Sequence, residues 1–322
     1  MMKIKSFGKK VLFFGILLSL LLPAAVGARA EAAGFQKVKN GTVYIQKNGT
    51  RKKGWLRVGR RQYYFNRKGI MQTGWVRLNG KWRYFSRKSG FLVKNKTIGG
   101  KKIDKNGVLK GKFVVVIDPG HSGVTAGGVE PLGPGSSSMK SKDTSGTQGR
   151  YTGVPEYKTT LTIAKKLKKE LTSRGYKVIL TRTNHKKPLS CKERAMVANK
   201  AKADLLIRLH CNGSESSSAH GAMTICTTKN SPYVPELYQK SYRLSQKVLD
   251  SYVKATGARK EYIWETDSMS GNNWSKVPTT LIEMGYMTNP AEDQKMQKTS
   301  YQKKMVEGLA DGIDAYFTNL KP

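Results

Sequence analysis

Residues 114–123 read VVVIDPGHSG. Four β-branched apolar residues in a row describe a buried strand, and Asp118-Pro119-Gly120 ends it at a turn. The next residue, His121, is one of four histidines in the chain. Working outward, PEYKTTLTIAKKLKKELTSRG places Leu161, Ala164, Leu167 and Leu171 at helical spacing, with Pro155 suited to the first turn and Gly175 to the stop. KVILTR, DLLIRLH, GAMTICTT and TTLIEMG read as further strands. CKERAMVANKAKA, SPYVPELYQKSYRLSQKVLDSYVK and YQKKMVEGLADGIDAYFTNL read as helices. Strand and helix alternate, so residues 113–322 are expected to form an α/β domain with a mostly parallel sheet flanked by helices. Residues 119–153, rich in Gly, Ser and Pro, read as one long loop.

The unusual polar residues fall at strand ends. His121 follows the first strand, His210 closes DLLIRLH, Glu283 sits within TTLIEMG, and Glu156 opens the first helix. In open α/β sheets the ligand crevice lies beyond the carboxyl ends of the strands, so these residues could converge. Two histidines and a glutamate make a catalytic zinc set, and a second carboxylate nearby can take a proton from water. Glu156 suits the ligand role, because a helix N-terminus favours the ionised, metal-binding form. Glu283 suits the base.

These motifs in this order (VVVIDPGHSG, PEYKTTLTIAKKLKKEL, KVILTR, ERAMVANKAKADLLIRLHCNGS and LIEMGYMTNPAED) resemble the zinc-dependent N-acetylmuramoyl-L-alanine amidases of the third amidase family. The resemblance implies one Zn²⁺ on His121, Glu156 and His210, and Glu283 as the catalytic carboxylate. It also implies the substrate: the amide joining N-acetylmuramic acid to L-alanine of the peptidoglycan stem peptide. The loop 122–155 is longer than the family's short form and is expected to line or cover the cleft. Arg208 stands where a small residue is usual; it can contact the stem peptide or pair with a structural acid, and the second is the expectation. Asn212 can orient substrate or cap its own turn. His185 and His220 lack partners at ligand spacing and are assigned to structure or surface.

Ahead of this domain lies a different kind of sequence. Residues 54–73, GWLRVGRRQYYFNRKGIMQT, align with residues 74–93, GWVRLNGKWRYFSRKSGFLV, at a period of 20. Each unit reads as a hairpin with aromatics on one side, too small to bury that face alone and therefore stacked on its neighbours. The block resembles cell-wall-binding, choline-binding type repeats, in which aromatics cage a quaternary ammonium. The corresponding residues are Trp55, Tyr64, Trp75, Trp82 and Tyr84. Gln62, however, stands where the first unit would carry its second tryptophan. Residues 34–112 are therefore expected to form a small all-β module of stacked hairpins that binds the wall.

Charge sharpens that expectation. Residues 1–33 carry five Lys/Arg against one acid, residues 34–112 twenty-three against Asp104 alone, and residues 113–322 thirty-one against nineteen, within a total of +38. A module at +22 repels a cationic head group and attracts a polyanion, so an anionic wall polymer such as teichoic acid is the expected partner. The basic, then apolar, then small-residue pattern of residues 1–33 reads as a secretory signal peptide, and Pro23 argues against an uncleaved membrane span. Export removes most of the case for nucleic acid, so no nucleic-acid partner is expected, and the expectation is a secreted, wall-associated protein with no stable membrane anchor after signal cleavage. Cys191, Cys211 and Cys226, odd in number and sparse, imply no disulfide framework. Two other readings remain: a non-catalytic wall-binding protein, and a zinc peptidase cutting within the stem peptide.

Overall fold

The structure, a computed structural model, describes residues 33–318, so the expected signal peptide falls almost wholly outside the described residues. The chain begins with four antiparallel hairpins: β1 (Gly34–Val38) with β2 (Gly41–Ile45), β3 (Gly54–Val58) with β4 (Arg61–Phe65), β5 (Gly74–Leu78) with β6 (Lys81–Phe85), and β7 (Thr97–Ile98) with β8 (Lys101–Lys102). The repeat is visible in their register, because Trp55 pairs with Tyr64 and Trp75 with Tyr84. Successive units are tied by backbone hydrogen bonds: the N–H groups of Met71, Leu92 and Leu109 donate to the carbonyls of Thr42, Gln62 and Trp82. The acceptors step by the repeat period, so the stack is a short solenoid.

The second part alternates as expected. In chain order it runs β9 (Val114–Pro119), β10 (Val129–Pro131), β11 (Met139–Ser141), α1 (Glu156–Ser173), β12 (Lys177–Leu180), α2 (Cys191–Lys200), β13 (Leu205–Asn212), β14 (Ala222–Cys226), α3 (Tyr238–Thr256), β15 (Lys260–Glu265), α4 (Ser270–Asn273), β16 (Thr279–Tyr286), α5 (Pro290–Gln297) and α6 (Thr299–Phe317). Six strands form one sheet in the order β12-β9-β13-β16-β14-β15. The β14–β16 pairing is antiparallel and the other four are parallel, so the sheet is mixed at one side.

Helices cover both faces, which is why the central strands are continuous apolar runs. Ile163 and Leu167 of α1, Val248 of α3 and Ile313 of α6 pack on one face with Val115, Ile117 and Ile207. Ala198 of α2 packs on the other with Val116 and Leu206. α3 and α6 approach closely because Gly308 and Gly312 face α3: a Cβ there would lie 2.7 Å from the Tyr252 Cα and 2.6 Å from the Val248 Cα.

Three features depart from the sequence reading. The stretch 119–153 is not one open loop, because β10 and β11 pair within it. The edge strand β15 and the helix α5 were not expected. The third departure concerns the repeat aromatics. Trp75, Trp82 and Tyr84 are buried, with Trp82 only 4% exposed. Phe113 sits edge-on to both Trp75 and Trp82 and stacks on Phe317 of α6 at 4.3 Å, so the third hairpin is sealed against the α/β part. Arg77 donates to Asp314 at 2.8 Å and Lys101 to Asp204 at 2.7 Å at the same junction. Those three aromatics therefore present no surface to a wall polymer, which corrects the expectation for them. Trp55 is 40% exposed and Tyr64 half-buried, so both remain within reach of a ligand.

Candidate metal centre

Strand β9 ends where Gly120 and His121 leave the sheet. His121 adopts the left-handed backbone conformation, φ 58°, uncommon for a residue with a side chain. It is held there from two sides. The Arg194 guanidinium donates to the carbonyls of Pro119 at 2.8 Å and His121 at 3.1 Å, and the His121 ring Nδ1 donates to the Thr144 carbonyl at 2.8 Å. With the proton on Nδ1, the Nε2 lone pair points inward.

His210 arrives from β13 and Glu156 from the first residue of α1. His210 Nδ1 lies 3.0 Å from His121 Nε2 and 3.1 Å from Glu156 Oε1, and His121 Nε2 lies 3.2 Å from Glu156 Oε2. The Glu156 carboxylate also accepts from the backbone N–H groups of Cys211 at 3.0 Å and Thr147 at 2.9 Å. The packing needs glycines. A Cβ on Gly120 would lie 2.4 Å from the His210 ring, and one on Gly146 would lie 2.6 Å from Glu156 Oε2.

Electrostatics follow from this crowding. Burial would raise the Glu156 pKa, but hydrogen bonds and charge from the two histidines win and hold it down. Burial pushes His210 down to about 4, against the pull of Glu156, which leaves a neutral ring. For His121 burial acts downward too, but Glu156 outweighs it and the pKa is raised.

Glu283 lies on β16 beside His210 in the parallel register and lines the same cavity, about 330 Å³, with His121, Thr144, Arg208 and Lys140. Its Oε2 is buried with no hydrogen-bond partner among the described residues, as is His210 Nε2. Burial first, then the charge of Glu156, push its pKa well above the ordinary glutamate value, and Arg208 only partly opposes them. A larger groove of about 670 Å³ runs between α1 and α6, but its lining contains no histidine.

His121, Glu156 and His210 fit a metal. Three lone-pair donors at 3.0–3.2 Å repel one another unless a proton or a cation sits among them. A tetrahedral zinc with bonds near 2.0–2.1 Å has ligand-to-ligand edges of about 3.3 Å, close to this triangle. Among the described residues they form the one group of metal-binding side chains close enough to share an ion.

Two other candidate residues lie near the triangle. Arg208 borders the cavity but donates to Asp118 Oδ2 at 3.1 Å, the structural-acid pairing. Asn212 turns its Oδ1 back to the N–H of Gly213 at 2.9 Å, the turn-capping alternative. Sequence reading missed Asp118, Arg194 and the Asp143–Thr144 pair. A charged residue ending an apolar strand, as Asp118 does, was the available signal for the first; nothing local marked the others.

Residues 115–315 match the N-acetylmuramoyl-L-alanine amidase family, and residues 52–96 match the choline-binding repeat. Among curated relatives, N-acetylmuramoyl-L-alanine amidase LytC of Bacillus subtilis is 26% identical over 205 residues; the match spans 63% of this chain but only 35% of that protein. Among solved structures, an N-acetylmuramoyl-L-alanine amidase from Clostridium difficile 630 is 29% identical with a TM-score of 0.53, covering 66% of this chain and all of that one. The apo form of Ami1 from Mycobacterium abscessus is 26% identical with a TM-score of 0.58, covering 64% of this chain and 99% of that one.

Proposed function

The chain belongs to the N-acetylmuramoyl-L-alanine amidase family, and on that footing we propose that it is a zinc-dependent peptidoglycan amidase, secreted and held at the cell wall. The observation that carries this reading is the triangle of His121 Nε2, Glu156 and His210 Nδ1 beside the Glu283 carboxylate, whose Oε2 is buried and unpartnered among the described residues. His121, Glu156 and His210 would hold the metal. Zinc held there would supply Lewis acidity, the chemistry needed to polarise a scissile carbonyl and acidify water.

The rest belongs to the chain. Glu283 Oε2 takes the proton from the attacking water as its oxygen bonds to the lactyl carbonyl carbon. As the carbon–nitrogen bond breaks, the same carboxyl hands that proton to the leaving L-alanine nitrogen. A carboxyl whose pKa is pushed up by burial suits both halves, because it binds the proton firmly enough to hold it between steps. Thr144 and Arg194 orient His121, and the N–H groups of Cys211 and Thr147 orient Glu156.

Residues 34–112 supply attachment. Their repeat match and their charge support binding to the wall through an anionic polymer such as teichoic acid, which raises the local concentration of enzyme on an insoluble substrate. Among the described residues no helix is long and apolar enough to cross a membrane.

Product analysis tests the amidase reading against a zinc peptidase. Digestion of purified peptidoglycan should release peptides with a new L-alanine amino terminus and leave free lactyl groups on the glycan. Peptide stubs left on the glycan would assign the cut to the stem peptide instead.

A further inference from the structure

Between the two turns that follow β2 and β4 and lead into the next hairpins lies a groove of about 590 Å³ lined by Arg51, Lys52, Lys53, Arg67 and Lys68, together with Gln46 and Thr50. All five cations sit without a carboxylate partner among the described residues. The module's paired cations there, Arg77 and Lys101, lie at the junction with the α/β part. The single acid of residues 34–112, Asp104, is turned onto the N–H groups of Asn106 and Val108 and neutralises nothing in the groove.

The convergence is built by the backbone. Asn48 Oδ1 accepts from the Thr50 N–H, and Asn66 Oδ1 accepts from the N–H groups of Lys68 and Ile70, so both turns are fixed. Gly69, at φ 75°, lets the second turn press against the first: a Cβ there would lie 2.8 Å from the Arg51 Cβ. Arg67 and Lys68 are thereby brought beside the Arg51–Lys53 run.

The repeat itself shows that this charge is not simply the price of the fold. Twenty residues on, the positions equivalent to Arg51, Lys52 and Lys53 hold Met71, Gln72 and Thr73 in the same hairpin geometry. Like charges gathered in one groove repel, and an anion seated among them removes that cost. A cationic ligand has no comparable place. Trp55, the most exposed aromatic of the tryptophan-bearing units, already carries the Arg83 guanidinium at 5.7 Å from its ring centroid.

We propose that this groove is a subsite for consecutive phosphodiester groups of an anionic wall polymer. Arg51 and Arg67 present forked donors that suit phosphate oxygens, and the three lysines add point charge. The proposal rests on the reading of residues 34–112 as the wall-attachment module and says where on it the polymer is held.

The test uses the purified full-length mature protein with poly(glycerol phosphate) as probe. The triple variant Arg51→Met, Lys52→Gln, Lys53→Thr carries the residues found twenty positions on, at 71–73, so the repeat geometry accommodates them. A control triple, Lys94→Met, Lys96→Gln, Lys105→Thr, removes the same charge elsewhere in the module. The groove variant should bind about tenfold or more weakly at moderate salt, with a flatter dependence on salt, and the control less than about threefold. Equal losses in both variants would mean diffuse attraction and overturn the subsite. Inorganic phosphate at matched phosphorus should compete poorly, and competition as strong as the polymer's would reduce the groove to a simple anion site. Tighter, groove-dependent binding of single-stranded DNA of equal charge would assign the groove to nucleic acid and overturn the proposal. Wild-type protein that binds no polymer at all would remove the attachment reading itself, an outcome distinct from binding that ignores the groove. Binding is read without turnover, so it stands apart from the amidase reading.

Discussion

His210 and Glu283 face each other across the parallel β13–β16 pair, one a member of the donor triangle and the other an unpartnered carboxylate bordering the same cavity. The sheet register thus sets the spacing between the donor triangle and the Glu283 carboxylate, and the metal-holding and proton-carrying roles proposed for them can be tested one residue at a time.

Glu283→Gln keeps the shape of the side chain and removes its ability to take a proton. Zinc content and the denaturation midpoint should stay near wild type while kcat falls by about 10²–10⁴-fold. Metal analysis and turnover on the same preparation check this, and substantial retained activity would refute the role.

Gly120→Ala removes no ligand, yet its methyl group would meet the His210 ring at 2.4 Å. The ring must move, so zinc affinity should drop by about 10–100-fold, the scale seen when a ligand's supporting contacts are lost. Competition with a chromogenic chelator measures it.

Asp118 is buried and accepts from Thr181, Arg194 and Arg208. Burial would raise its pKa, but the two guanidiniums hold it far down, so its stabilising contribution is present above the unfolded carboxylate value and lost as pH falls. Asp118→Asn leaves two buried cations short of charge and should cost about 3–5 kcal/mol. Urea midpoints at neutral and acid pH check both points, and the gap between wild type and variant should narrow at low pH.

Phe113 joins the hairpin stack to α6 through Trp75, Trp82 and Phe317. Phe113→Ala should cost about 3–5 kcal/mol and expose the junction to limited proteolysis. An unchanged proteolytic pattern would mean that the two parts are coupled by other contacts.

How far the sequence could be read depended on whether the signal was local. VVVIDPGHSG announces both the buried strand β9 and the turn that delivers His121, and the helical spacing of Leu161, Leu167 and Leu171 places Glu156 at a helix start. The Asp118–Arg194–Arg208 network joins three elements and leaves no periodic trace. The burial of Trp75 and Trp82 was hidden for a different reason. A repeat aromatic has the same spacing whether its outer face meets solvent or the next domain, and Phe113, the residue that covers these two, lies outside the repeat. The hairpin of β10 and β11 was masked by a Gly- and Ser-rich composition that reads as loop, although Glu130 within it is buried and accepts from Lys192 and Ser270.

The most direct test of the central claim is digestion of purified peptidoglycan by the metal-stripped protein, followed by stepwise return of zinc and mass analysis of the released fragments. The account predicts no release without metal, and recovery of stem peptides beginning with L-alanine that saturates at one zinc per chain. Undiminished release of those peptides by protein shown to be metal-free would contradict it.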